Sequence, residues 1–312
     1  MKKTWGFFLA SGIVAFTIFT GCKKTDSNTT QTDENTQLAI HTDDEARFSD
    51  AMDNITNDAN AAIESSTAFS GRGTEVETDI CNATVTLDST ATLRMLTITY
   101  NGSNCLGNHT RTGTVTLSIP LSQHFSDMGA TVTATWANLK ITRISDGKSI
   151  TINGEHSITN VTGGRLLNLA SLQTIIHDIN STGMNVTFDD GSTRTWMVAR
   201  RRTYTYNNGI HISISGTHTE DTTTNISEWG TTRFGTPFVT SITQPLEIDQ
   251  ACDFRLVAGQ VAHHRLIADV VVTFGLDSSG MPATCPALGN PYYYKLVWTG
   301  ANGVQQTVIA PY

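Results

Sequence analysis

The densest run of chemically capable side chains in this 312-residue chain lies between Arg194 and Tyr206. Read as a strand, simple alternation puts Arg194, Trp196, Val198, Arg200, Arg202, Tyr204 and Tyr206 on one face and Thr195, Met197, Ala199, Arg201, Thr203 and Thr205 on the other. Guanidinium groups beside aromatic rings can stack on a sugar or clamp a carboxylate or phosphate. The same ladder also decorates ordinary sheets, where Arg stems cover neighbouring rings, and one strand alone makes no pocket. Trp229, Phe234 and Phe238 form a second aromatic group in a Gly- and Thr-rich stretch, read as a loop that serves either as a glycan platform or as core lining. The candidate ligand contacts are therefore Arg194, Trp196, Arg200, Arg202, Tyr204 and Trp229.

Acid–base and metal chemistry have weaker support. Glu155, Glu228, Glu247, Asp249 and Asp253 offer carboxyls for a glycosidase pair, which must stand about 5–9 Å apart, but nothing in their spacing selects two of them. Asp189-Asp190 runs into Gly191 and reads as a turn. His263 and His264 are adjacent, so on a strand they face opposite sides, and His211 and His218 fail the same parity test. There is no Cys-x-x-Cys, no histidine pair at ligand spacing, no Gly-x-Ser-x-Gly elbow and no Asp-x-Asp-x-Asp-Gly loop, so a zinc site is disfavoured. No catalytic residue, metal ligand or cofactor is assigned, and the reading favours a non-enzymatic protein.

The cysteines carry more information. Lys2 and Lys3 precede an apolar run from Trp5 to Phe19, and Phe19-Thr20-Gly21-Cys22 closes it. Small residues before a cysteine at this depth match a lipobox, in which the thiol is acylated and residues 1–21 are removed. The run is short for a bilayer span, which needs about 20 residues. Lys23 follows the cysteine in place of the aspartate that retains many lipoproteins in the inner membrane, so the outer membrane is the expected address, on either face. Cys81, Cys105, Cys252 and Cys285 remain, an even number that in an exported chain suggests two disulfides. Three pairings are open, and the simplest joins near neighbours.

The elements that must position these residues follow from periodicity. Residues 22–40 are polar and read as a tether. Residues 41–66 hold one helix: Thr42 and Glu45 make a capping-box pattern, and Phe48, Met52, Ile55, Ala59 and Ala62 form an apolar stripe. Asp43, Asp44 and Glu45 suit the positive end of its dipole. Residues 67–312 read as an antiparallel β domain, in one piece or as two β subdomains. Thr- and Val-rich alternation marks strands at 83–87, 93–100, 114–119, 131–144, 185–188, 210–215, 270–274 and 292–298. Asn101-Gly102, Asp146-Gly147, Asn153-Gly154, Asp190-Gly191 and Asn208-Gly209 are hairpin-turn signals. Residues 166–179 allow a short helix or a long apolar connection. The predicted fold is all-β and mainly antiparallel, a sandwich or a long curved sheet with one N-terminal amphipathic helix.

Removal of the leader moves the formal charge from −8 to −10, because only Lys2 and Lys3 leave, and a mildly acidic chain is not a nucleic-acid binder by default. The order of lipobox-like start, polar segment, acidic helix, Ile98 to Cys105, Arg111-Thr112-Gly113, Asp190 to Trp196, Arg202-Thr203 and the Cys252 to Cys285 module resembles uncharacterised cell-envelope lipoproteins of the Bacteroidota type. The resemblance implies a β-rich exported lipoprotein and supplies no catalytic residues. The expected partners are the bilayer, through acylated Cys22, together with glycans or another envelope protein. A polysaccharide-acting hydrolase is the rival reading.

Overall fold

The computed structural model describes residues 27–71, 80–264, 268–287, 290–300 and 303–312, with backbone alone for 27–34. The leader and Cys22 lie outside the described residues. Helix α1 spans Ser27–Ser65, followed by the single turn α2, Thr67–Ser70. Sixteen strands follow among the described residues. The first eight are β1 Ala83–Ser89, β2 Leu93–Ser103, β3 His109–Pro120, β4 Ala130–Arg143, β5 Ser149–Asn160, β6 Thr174–Asn180, β7 Met184–Thr187 and β8 Thr193–Tyr206. The rest are β9 Ile210–Gly216, β10 His218–Glu220, β11 Thr223–Thr231, β12 Pro237–Asp249, β13 Arg255–His264, β14 Val270–Leu276, β15 Tyr293–Thr299 and β16 Gln305–Pro311.

All sixteen strands belong to one sheet, and every pairing in it is antiparallel. The path runs β1 to β6, then β8, β11, β12 and on to β16. Short strands share a span where longer ones need two partners. β6 and β7 both bridge β5 to β8, while β9 and β11 both bridge β8 to β12. The all-β, mainly antiparallel expectation holds, with one N-terminal helix.

The sheet curls around that helix. Asp43 and Glu45 are two residues apart on α1, yet Asp43 pairs with Arg143 on β4 and Glu45 with His263 on β13. Those strands are six places apart in the sheet, about 30 Å if it were flat, against a helix about 10 Å across. Only a curled sheet brings both to one helical turn. The apolar stripe then packs inward as expected, with Phe48, Met52, Ile55, Ala59 and Ala62 joined to Ile98, Val115, Trp136 and Trp196. A second cluster holds Leu38, Ile212, Ile248, Val272, Leu296 and Trp298. Two cores thus share one continuous sheet.

Three expectations change. Residues 27–40 are helical rather than a tether, because Leu38 is buried in the second cluster and Asn35 Oδ1 accepts from Trp298 Nε1 at 3.0 Å. Thr42 is consequently mid-helix and donates to Leu38 O at 3.0 Å, so the capping box does not form. Asp43, Asp44 and Glu45 are likewise far from the helix start. Asn101-Gly102 and Asn153-Gly154 lie inside β2 and β5 rather than at turns, while Asp146-Gly147, Asp190-Gly191 and Asn208-Gly209 connect strands. Gly154 (φ +128°) sits where β5 changes partner, and a Cβ there would approach Gly183 O to 3.2 Å. A glycine inside a strand marks such close backbone passage as readily as a turn. Residues 166–172 form two short helical turns, after which Thr174 starts β6.

Candidate functional site

The inner face of β8 shows what alternation dictates, with an outcome opposite to a ligand surface. Trp196, Arg200, Arg202 and Tyr204 point toward α1 and are buried, Trp196 and Arg202 with 0 % exposure. Trp196 packs edge-on against Phe48, 4.9 Å between ring centroids, and its Nε1 donates to Thr231 O at 2.7 Å. Arg202 Nη2 donates to Asn57 Oδ1 at 2.7 Å, and Asn60 Nδ2 donates to Tyr204 OH at 2.8 Å. Arg200 donates to Ser49 Oγ at 2.8 Å and, on its other side, to Glu228 of β11. As ligand contacts these four are corrected: the helix already occupies the face they share. An amphipathic acidic helix seeks such a partner, and a single-strand reading cannot see it.

The acids of α1 are read out one by one by sheet and loop cations. Asp43 pairs with Arg143 and Lys148, Asp44 with Arg233, Asp53 with Arg200, Asp58 with Arg111, and Glu64 with Arg165. Burial pushes the Asp44 and Asp58 carboxyls up, against the pull of Arg233 and Arg111. Burial likewise lifts Glu228 to about 8 despite Arg200. These groups are held in place by their partners.

Beside them the structure assembles a cluster that the sequence reading missed. His41 and Glu45 lie one turn apart on α1, and His263 projects from β13, all three buried. His41 Nε2 stands 3.8 Å from Glu45 Oε2, and His263 Nδ1 is 2.7 Å from the same oxygen. Burial lowers the His41 pKa to about 3, which keeps the ring neutral. Burial alone would raise Glu45, but His263, His41 and Thr240 bring it down. The available signal was the His-x-x-x-Glu spacing, which places both groups on one helical face. The third member is more than 200 residues away, and no local pattern announces it. His264 points away and bonds Ser241 Oγ, so the parity argument for that pair stands.

The opposite face of β8 carries an open groove of about 920 Å³. Here the reversed alternation brings out Thr195 and Met197, and Trp229 lies opposite Met197 in the β8–β11 register. Trp229 is half-buried in a strand rather than a loop, and its ring stacks on His218 with centroids 4.2 Å apart and planes 16° from parallel. A Cβ on the next residue, Gly230, would meet Thr195 O at 2.5 Å, so glycine lets β11 close on β8 here. Asn185, Thr193 and Glu220 supply polar groups around the ring pair. Arg194 edges the groove, its guanidinium donating to Thr232 O and Arg233 O at 3.0 and 2.7 Å. Of the six expected ligand contacts, the structure brings Arg194 and Trp229 together and separates the others. Phe238 lies in the buried core and Phe234 in the exposed β11–β12 connection.

The remaining carboxylate candidates do not converge there. Glu228 is beneath α1, and Glu247 and Asp249 flank His211. A larger cleft, about 1160 Å³, lies between residues 35–43 of α1 and β15–β16, but its cations are engaged, Arg143 and Lys148 with Asp43 and Arg255 with the carbonyls of Cys252, Pro286 and Asn290. Disulfides join Cys81 to Cys105 and Cys252 to Cys285, the near-neighbour pairing. No described helix is long and apolar enough to cross a membrane. Comparisons with family models, curated proteins and solved structures return no match to this chain.

Proposed function

We propose that this chain is a non-enzymatic binding module of the cell envelope, anchored at the outer membrane through acylated Cys22, and that it takes a saccharide in the Trp229 groove. The carrying observation is the stacked Trp229–His218 pair, set among Asn185, Thr193, Thr195 and Glu220 on the face that α1 leaves open. A ring face with amide, hydroxyl and carboxylate groups around it matches the alternating C–H and O–H surfaces of a sugar. An open groove suits a polymer better than a closed pocket does.

The anchor rests on the leader and the residues before Cys22. With α1 beginning at Ser27, the five chain steps from Cys22 span at most about 18 Å, so the domain works close to the bilayer surface. Hydrolysis has less support, because a two-carboxylate mechanism needs a second acid and the groove lining contains only Glu220.

A glycan panel probed with the full chain and with Trp229→Ala tests the reading. Binding by the parent that is lost in the variant supports it. Equal binding by both, or release of reducing ends from any polysaccharide, contradicts it. Labelled palmitate entering the parent but not Cys22→Ala tests the anchor.

A further inference from the structure

We propose that His41, Glu45 and His263 bind one divalent first-row transition ion, zinc by the character of the donors, and that the ion clamps α1 to β13. Two imidazoles and a carboxylate are a donor set that zinc takes readily. One ligand atom from each residue falls within 4.8 Å of the others. An ion 2.0–2.2 Å from each donor holds them at most about 4.4 Å apart. The separations of 3.8 Å and 2.7 Å about Glu45 Oε2 are inside that limit.

The second observation is unmet bonding capacity. Both nitrogens of His41 are buried with no hydrogen-bond partner. Buried polar atoms without partners are rare in native proteins, and an unplaced ion is one of their ordinary causes. Thr240 Oγ1 stands 3.0 Å from His263 Nδ1, the same nitrogen that faces Glu45, and would give up that contact to the ion. With every member buried, the site is a closed structural clamp, not a catalytic centre.

The test uses the full chain in detergent, stripped with a chelator and titrated with zinc alone. The expected result is one tightly held zinc per chain, a raised Tm, and X-ray absorption showing imidazole nitrogens near ~2.0 Å. His41→Ala and His263→Ala should each weaken zinc binding at least about tenfold and abolish the Tm rise. His211→Ala, which alters the half-exposed group between Glu247 and Asp249, should leave both intact. Circular dichroism of each variant shows whether it folds. If the two core variants fail to fold, stoichiometry and absorption spectrum of the parent decide alone. No stoichiometric zinc in the parent, a spectrum without imidazole, or binding that depends on His211 instead would overturn the proposal.

Discussion

Arg111 Nη1 on β3 donates to Asp58 Oδ2 on α1 at 2.6 Å, and Tyr100 OH on β2 donates to the same oxygen at 3.1 Å. This pair is typical of how the helix is held, an acid enclosed by the sheet and matched by one arginine. Burial raises Asp58 even with Arg111 beside it, so the carboxylate depends on its partner. Arg111→Met should destabilise the fold by about 3 kcal/mol, since breaking one side of a buried pair strands the other. Adding Asp58→Asn should restore part of that loss. Urea unfolding of the two variants measures both effects, and an Arg111→Met midpoint equal to the parent would contradict the helix-clamping account.

Acid should loosen the structure through two buried imidazoles. Burial lowers His156 to about 4 and His177 to about 3, the latter also under the repulsion of Arg202. His156 lies edge-on to Trp136, and His177 lies between Phe125 and Tyr204. A folded pKa below the unfolded 6.5 means that the unfolded chain binds more protons between those values. Stability from these rings is therefore full above pH 6.5 and falls as pH drops toward 4. For His156 alone the loss is about 2 kcal/mol by pH 5. His156→Leu should flatten the slope of stability between pH 7 and 5 by that amount. An unchanged slope would show that the ring protonates in place.

The two tryptophans of β8 and β11 should behave differently. Trp196→Ala removes a buried ring under α1 and should cost about 3–5 kcal/mol of stability. Trp229→Ala, on the open face, should change stability far less. Thermal melts of the pair separate the core residue from the groove residue, and equal losses would argue that the groove face is also covered.

Each disulfide closes a loop of moderate length, with sequence separations of 24 and 33 residues. Chain entropy assigns each about 3–4 kcal/mol. No free thiol should react in the unfolded, unreduced chain once Cys22 is acylated, and reduction should lower the Tm. Thiol titration with and without reductant checks both statements.

The strands at 83–87, 131–144 and 270–274 were legible because period-two alternation is local, and so was the stripe from Phe48 to Ala62. β5, β6, β10 to β13 and β16, by contrast, were missed. Gly154 and Gly259 each interrupt an alternation where the backbone passes close to another strand. The curl of the sheet was invisible for a different reason. It is set by which arginine meets which acid of α1, and those pairs span 100 residues or more in several cases, as with Asp43 to Arg143 and Glu64 to Arg165. The same gap explains the site. Arg194 and Trp229 were named for their chemistry, but the faces they use depend on the helix that fills the other side of β8. His218, which stacks on Trp229, was weighed only as a metal ligand.

We propose that Trp229 and His218 form a saccharide-binding face. It is tested most directly by titrating the best glycan from the panel into the parent, Trp229→Ala and Trp196→Phe by calorimetry. Trp229→Ala should weaken binding about fivefold or more, the equivalent of about 1 kcal/mol for one lost stacking contact, while Trp196→Phe binds like the parent. Full affinity in Trp229→Ala, with loss in Trp196→Phe, would place the ligand elsewhere and contradict it.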